Sequence, residues 1–204
     1  MTKIKICGIS RPEDIEYVNE ARPDYIGFVF AESKRRVSEA QALALRKALH
    51  AGIIPVGVFV NAPADEIAAL YEKGVIEAAQ LHGAETESDI EALRTRARIP
   101  IIKAFSIAEE ADFLRASASP ADYLLLDHGP GGTGAAFDWN LLRRQRGRPE
   151  KPWFLAGGIN EKNIQQALEK NPYAVDISSG AETNGIKDRN KIEQLVKAAQ
   201  EHSG

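Results

Sequence analysis

Eight short apolar runs, spaced at near-regular intervals, constrain the fold of this chain more than any other feature. Their starting positions lie 21 to 30 residues apart, which leaves room for one helix after each run. Most of the runs are apolar on successive residues, as in parallel strands that are buried on both faces. The runs are KIKIC (3–7), YIGFVF (25–30), IIPVGVFV (53–60), AAQLH (78–82), PIIKAF (100–105), YLLLD (123–127), WFLAGG (153–158) and AVDISSG (174–180).

Amphipathic helical patterns fill the intervals between the runs. In Ile90, Leu93 and Ala97, for example, apolar residues recur at helical spacing. Three segments match the capping box, in which a hydroxyl and a Glu or Gln side chain together satisfy the first N–H groups of a helix. They are Ser10–Glu13, Ser38–Gln41 and Ser106–Glu109. Single N-cap residues are predicted at Thr86, Asp138, Asn160 and Asp188.

Repeated eight times, this β-α unit favours one of two α/β architectures. A doubly wound open sheet usually has fewer strands and a G-x-G-x-x-G loop after the first, whereas here the first run is followed by Gly8-Ile9-Ser10. Eight equivalent units close into a (β/α)₈ barrel, for which ~200 residues is the lower limit. We therefore expect a single (β/α)₈ TIM barrel, with residues 1–204 forming one domain.

Charge and cysteine content narrow the function classes. The chain has 26 Lys and Arg against 29 Asp and Glu, a formal charge of −3, so neither nucleic acid nor membrane is an expected partner. The basic segment 143–151 is expected to be a solvated loop, with a nucleic-acid patch as the alternative. One cysteine allows no internal disulfide, and MTKIKICGIS lacks a signal-peptide core. These features predict a soluble cytoplasmic protein.

Glycine and serine at the ends of the last two runs suggest an anion site. Active sites of such barrels lie at the C-terminal ends of the strands, and the loops after strands 7 and 8 commonly bind phosphate. Glycine allows a phosphate to approach the backbone N–H groups closely. The phosphate-binding candidates are Gly157, Gly158, Ser179 and Gly180. The alternative is that these residues only form tight turns.

Asp127 and Cys7 are the candidate reactive groups, since each is the last residue of an apolar run. Asp127 is either catalytic or a helix cap or ion-pair partner, and the glycine-rich segment 128–134 after it is typical of a lid. Cys7 is either a buried, inert hydrophobe or a base whose pKa is lowered by the N-terminus of the next helix. In the barrel order 6-7-8-1 the phosphate loops would lie between them, so a bound substrate could meet an acid and a base.

The basic cluster Lys34-Arg35-Arg36 follows the second run. It is either a solvated loop or a guanidinium site for a second anionic group of the substrate.

In seven segments the chain resembles the phosphoribosylanthranilate isomerase family of tryptophan biosynthesis. The resemblance spans residues 3 to 188, and KICGI, GGTG with FDW, and VDISSG are its most specific parts. The segments are KICGIS, GFVF with SKRRVS, VGVFVN, QLHG, LLLDHGPGGTGAAFDW, LAGGIN and VDISSGAETNGIKD.

The resemblance implies a TIM-barrel enzyme without metal or cofactor that acts on a small phosphorylated substrate, as a monomer or homodimer. It converts N-(5-phosphoribosyl)anthranilate to 1-(2-carboxyphenylamino)-1-deoxyribulose 5-phosphate, an Amadori rearrangement. Carried over, Asp127 is the general acid and Cys7 the general base. Arg35 would bind the anthranilate carboxylate, with Arg36 as the alternative, and His82 and Asp176 would support substrate binding.

Two other functions remain open at this point. A phosphosugar epimerase of the same fold would use paired Asp bases or metal-binding His, and the four scattered histidines give no dense cluster. A non-catalytic phosphosugar-binding barrel would lack the acid or the base.

Overall fold

The computed structural model describes residues 2–127 and 150–202. Its eight long strands form one closed parallel barrel in chain order, so β8 pairs with β1. These strands are β1 (Lys3–Cys7), β2 (Tyr25–Val29), β3 (Ile54–Phe59), β4 (Ala78–Leu81), β5 (Ile101–Ser106), β6 (Tyr123–Asp127), β7 (Trp153–Leu155) and β8 (Ala174–Ile177). The expected α/β barrel is therefore confirmed, with each predicted run supplying one strand.

Seven α-helices connect and cover the described strands: α1 (Pro12–Ala21), α2 (Glu39–Ala48), α3 (Ala64–Glu72), α4 (Glu87–Arg96), α5 (Glu110–Ala118), α6 (Ile164–Leu168) and α7 (Arg189–Glu201). A two-stranded antiparallel hairpin, β9 (Glu182–Thr183) and β10 (Ile186–Lys187), lies between β8 and α7. Within the described ranges no helix has both the length and the hydropathy needed to cross a membrane.

The alternation of side chains along each strand separates two cores. Ile4 and Ile6 of β1 face outward and pack in the large apolar cluster between strands and helices. Lys3, Lys5 and Cys7 of the same strand alternate with them and face the barrel interior. This parity explains why strands of a barrel read as continuous apolar runs, since most positions on both faces are buried.

Four aromatic rings fill the N-terminal half of the barrel interior. Tyr25, Tyr123, Phe154 and Tyr173 pack with ring centroids 5.2 to 5.9 Å apart. The hydroxyls of Tyr25 and Tyr173 lie 2.9 Å apart, within hydrogen-bond distance. The ammonium of Lys3 lies over both of these rings. These rings form the barrel floor, and the opposite end, where the strands finish, carries the polar groups.

Helix starts were predicted less well than strands. The Ser38 and Thr86 hydroxyls accept from the N–H groups of Gln41 and Asp89, and Asp188 caps α7, as predicted. The side chain of Gln41, however, donates to the carbonyl of Ser10 and does not return to Ser38. Asp138 lies outside the described residues.

Three predicted caps are wrong by a few residues. Helices α1 and α5 begin after Arg11 and Glu109, so neither Ser10 nor Ser106 is the N-cap. In both cases a carboxylate in the first turn, Asp14 or Asp112, accepts from the N–H groups before the helix and replaces the hydroxyl. Helix α6 begins after Asn163, three residues later than the predicted cap Asn160.

Candidate active site

Cys7 lies at the C-terminal end of β1 and is 8% exposed. Gly27 on neighbouring β2 leaves the space for its sulfur, since a Cβ atom there would lie 2.7 Å from Sγ. Lys5, the preceding interior-facing residue of β1, and Lys187 and Asp176 are the charged groups that act on the thiol. The sulfur is therefore buried among ionic groups and is not sealed in hydrocarbon, as an inert core cysteine would be.

The pKa of the thiol differs from the sequence-based expectation of a lowered value. Burial raises the pKa of Cys7, Lys5 and then Lys187 oppose that increase, and Asp176 adds to it. Helix α1 begins only at Pro12, and the N–H groups of Ser10 and Arg11 before it donate to Asp14. The charge that favours the thiolate thus comes from lysine ammonium groups.

Lys5 is completely buried inside the barrel, where its Nζ donates to Oδ1 of Asp176 at 2.9 Å. Asp176 is on β8, one of the two strands that pair with β1. Burial lowers the pKa of Lys5, but the charges of Asp176 and of Cys7 outweigh it and the net pKa is raised. Asp176, predicted to support substrate binding, therefore directly contacts a protein cation below Cys7.

A second ionic cluster, Arg35–Glu182–Lys187, lies beside Cys7. Arg35 donates to Glu182 through Nε at 2.6 Å and Nη2 at 2.9 Å, and Lys187 donates to the same carboxylate at 2.6 Å. Burial raises the pKa of Glu182, but the hydrogen bonds from Arg35 and Lys187 outweigh this and lower it to about 2. The cluster is an anion held between two cations at the mouth of the barrel.

Arg35 and Arg36 point to different environments. The Arg35 side chain is 15% exposed and packs on Gly8, where a Cβ atom would lie 2.4 Å from its Cδ. Gly8, with φ +86°, follows Cys7 directly, so Arg35 lies next to the candidate base. Arg36 is 54% exposed and pairs with Glu32 of its own loop. Of the two candidates for an anion contact, the structure brings Arg35 to the site.

Asp127 ends β6 on the same rim of the barrel as Cys7. Its Oδ2 lies 3.6 Å from Nε2 of His82, which follows β4 directly. The other ring nitrogen of His82, Nδ1, lies 2.8 Å from Nε2 of Gln80. Because an amide NH₂ can only donate, this contact places the ring proton of neutral His82 on Nε2, facing Asp127. The Oε1 atom of Gln80 is buried and has no hydrogen-bond partner among residues 2–127 and 150–202.

The loops after β7 and β8 pack on each other as a phosphate site requires. Gly157 and Gly158 have φ of +91° and +67°, which ends β7 earlier than the predicted run. Gly180 lies so close to the carbonyl oxygen of Ile159 that a Cβ atom would be 1.9 Å from it. The backbone N–H groups of Gly157, Gly158, Ser179 and Gly180 donate to no group in the described part of the chain. These four donors are available to an anion.

Several residues of this site were missed by sequence reasoning. Lys5, Gln80, Glu182 and Lys187 are buried and charged or polar. Lys5 and Cys7 are two residues apart on β1, so their side chains point to the same face of the strand. This spacing is the sequence signal for a buried cation below the thiol. The dipeptide Asn184-Gly185 is a sequence signal for a hairpin turn, and both residues have positive φ in the structure. A hairpin with this turn places Glu182 opposite Lys187. In ranges 2–127 and 150–202, no three His, Cys, Asp or Glu side chains form a group that could hold a metal ion.

Comparison with known proteins gives consistent matches over nearly the whole chain. Residues 4–198 match the family model of N-(5'-phosphoribosyl)anthranilate isomerase. The chain is 47% identical to the N-(5'-phosphoribosyl)anthranilate isomerase of Endomicrobium trichonymphae, covering 97% of this chain and 98% of that protein.

Solved structures agree with this match. The phosphoribosyl anthranilate isomerase of Thermotoga maritima is 35% identical, with a TM-score of 0.88 over 98% of this chain and all of that one. A phosphoribosyl anthranilate isomerase in complex with reduced 1-(o-carboxyphenylamino)-1-deoxyribulose 5-phosphate superposes with a TM-score of 0.85 at 35% identity, over 98% of this chain and 100% of that one.

Proposed function

Because the chain belongs to the N-(5'-phosphoribosyl)anthranilate isomerase family, we propose that its Cys7 and Asp127 are the general base and general acid of that reaction. The enzyme catalyses the Amadori rearrangement of N-(5-phosphoribosyl)anthranilate to 1-(2-carboxyphenylamino)-1-deoxyribulose 5-phosphate in tryptophan biosynthesis. One acid and one base suffice, because the reaction moves protons within a single substrate.

Asp127 donates its proton to the ring oxygen of the ribose. The ring C–O bond breaks as the anthranilate nitrogen forms a double bond to C1′, which gives a protonated imine. The Cys7 thiolate then removes the proton from C2′, and the electron pair moves toward the imine nitrogen to form an enolamine. Tautomerisation of the enolamine gives the ketone. Each acid–base contribution is worth ~10²–10⁴-fold in rate.

The observation that carries this proposal is the order of the strand ends around the mouth. Asp127 and Cys7 end β6 and β1, and the loops after β7 and β8 lie between them. We place the substrate phosphate on the unengaged N–H groups of Gly157, Gly158, Ser179 and Gly180. A ribose anchored there has one reactive group on each side.

Arg35 is our candidate for the anthranilate carboxylate. The Arg35 side chain lies next to Cys7. It donates to Glu182 through Nε and Nη2, so its Nη1 atom is not used in the bonds to that carboxylate. His82 borders Asp127, and Asp176 lies below Cys7. Direct contact of either side chain with substrate stays a prediction.

Two further expectations are part of the proposal. We propose that residues 1–204 form one domain. The single cysteine is a free thiol, which fits a reducing compartment and supports the cytoplasm as the site of action. No nucleic acid, membrane, metal or cofactor is required by the chemistry proposed for these residues.

The test is a fluorescence assay that follows loss of phosphoribosylanthranilate, made in situ from anthranilate and phosphoribosyl pyrophosphate. We expect Cys7→Ala and Asp127→Asn each to lower kcat by ~10²–10⁴-fold. Cys7→Ser is the matched variant that keeps size but removes the thiolate. Near wild-type turnover in Cys7→Ala or Asp127→Asn would remove that residue from the mechanism.

Two controls separate the rival functions. Activity that EDTA abolishes would favour a metal-dependent epimerase of the same fold. Binding of the substrate by wild-type protein without turnover would favour a non-catalytic phosphosugar-binding barrel.

A further inference from the structure

Lys5 is an unusual residue for the interior of a barrel. It is fully buried on β1, its ammonium donates to Asp176, and Cys7 is the next residue on the same face of the strand. A buried ion pair is seldom worth more to stability than apolar side chains of the same size, because both charges lose their hydration. The pair is therefore better explained by what it does to its neighbour than by stability.

Cys7 lies next to this ion pair. Charged side chains from four parts of the fold act on its thiol. Lys5 comes from the same strand, Asp176 from β8, Lys187 from β10, and Arg35 from the loop after β2. Gly27 of β2 packs against the sulfur without adding a charge. Arg35 and Lys187 share the one carboxylate of Glu182, which leaves this cluster with one uncompensated positive charge, but Lys187 acts on the thiol less strongly than Lys5 does. Lys5, fully buried on the same face of β1, is the cation that acts on the thiol most strongly.

We propose that Lys5 is a positioning residue of the reaction, whose ammonium is the counter-charge of the Cys7 thiolate and is held in place by Asp176. This inference rests on the proposed role of Cys7 as the base. It also assigns Asp176 a function that acts through Lys5.

Electrostatics explains why the pair is arranged in this order. An ionised thiol in a buried site is unstable unless a cation is already there. Asp176 contributes by keeping Lys5 charged, since burial alone would favour the neutral amine. When the thiolate takes the C2′ proton, the negative charge at sulfur disappears while Lys5 and Asp176 stay paired. No buried charge is left alone at any stage of the cycle.

The chain has one cysteine, which makes the test direct. The alkylation rate with iodoacetamide against pH, and the ultraviolet absorbance of the thiolate, both report on Cys7 alone. The variants are Lys5→Met, which keeps the length of the side chain, and the double variant Lys5→Met/Asp176→Asn. The double variant removes both charges, so no unpaired carboxylate remains buried. Circular dichroism and a thermal melt verify folding.

We expect the thiol pKa to rise by about 1–3 pH units in Lys5→Met, as for loss of an adjacent opposite charge. In the double variant it should lie between wild type and Lys5→Met, because the opposing effect of Asp176 is also removed. At neutral pH, kcat should fall ~10-fold for each unit of increase, as the thiolate fraction falls. Lys5→Met should recover activity as the pH is raised.

If both variants titrate like wild type, Lys5 only holds the strand together and the inference is wrong. If Lys5→Met does not fold, Lys5→Gln replaces it as the single variant, and an unchanged thiol pKa there overturns the proposal. The thiol titration needs no substrate. A shifted titration with full activity in Cys7→Ala would therefore keep the Lys5–thiolate interaction and reject only Cys7 as base.

Discussion

Nε2 of His82 lies 3.6 Å from Oδ2 of Asp127, while Nδ1 of the same ring contacts the buried amide of Gln80. The distance to Asp127 is longer than a direct hydrogen bond, and a small movement of either side chain would close it. Gln80 thus fixes which nitrogen of His82 faces the proposed acid.

The first prediction concerns this contact. His82→Ala should lower kcat by ~10-fold or more with a smaller change in KM, because Asp127 loses the group that orients its carboxyl. Gln80→Met should show the same direction with a smaller effect, since the ring remains but its tautomer is free. His202→Ala, at an exposed helix end, is the control. Equal kcat values for His82→Ala and wild type would remove His82 from the acid's support.

The second prediction separates the two arginines. Arg35→Met should raise KM for phosphoribosylanthranilate by ~10–100-fold, the size expected for one lost charged hydrogen-bond partner. Arg36→Met should change KM little, because its side chain is exposed and directed to Glu32. An analogue made from aniline, without the carboxylate, provides the decisive comparison. If Arg35→Met weakens both compounds equally, the effect comes from the lost contact with Glu182 and not from carboxylate binding.

The third prediction concerns the packing of the two phosphate loops. Gly180→Ala places a methyl group where the carbonyl oxygen of Ile159 now lies, so the loops must separate. We expect a loss of about 1–3 kcal/mol in unfolding free energy, as for other overpacked sites. KM and the Ki of inorganic phosphate should both increase. Gly52→Ala, before β3 at the opposite end of the barrel, should leave KM and Ki unchanged. An unaltered phosphate Ki in Gly180→Ala would argue against anion binding at these loops.

The fourth prediction follows from the lowered pKa of Glu182. Its ordinary value is 4.5, and in the folded protein it is about 2. Because the folded-state pKa is the lower one, the carboxylate stabilises the protein fully above pH ~4.5 and loses that contribution as the pH falls toward 2. Urea unfolding measured across this range should show the decline. Glu182→Gln should flatten it, and an equally steep decline in that variant would assign the effect to other carboxylates.

The strands could be predicted from the sequence because they depend on a strong, local pattern. Burial on both faces makes YIGFVF or YLLLD nearly continuous in apolar residues, and the strand count then selects the barrel. Helix starts depended on competition between neighbours. At Ser10 and Ser106 the carboxylates of Asp14 and Asp112 reach the same N–H groups, and a pattern of residue types alone does not rank these competitors.

The positions of Cys7 and Asp127 at strand ends could be predicted from the sequence, and the surroundings of Cys7 could not. Cys7 and Asp127 stand at strand ends, where any barrel of this kind forms its site. The partners of Cys7 come from β8 and β10, up to 180 residues away along the chain, so their contacts exist only once the barrel closes. The sequence predicted that a helix N-terminus would stabilise the Cys7 thiolate, whereas in the structure the ammonium groups of Lys5 and Lys187 do so.

The rings of Tyr25, Tyr123, Phe154 and Tyr173 have a kinetic consequence. Because these rings close the N-terminal end of the barrel, substrate and product must both pass through the open C-terminal end. The ketose product must dissociate before the next substrate molecule can bind. Accumulated product should therefore act as a competitive inhibitor of the reaction.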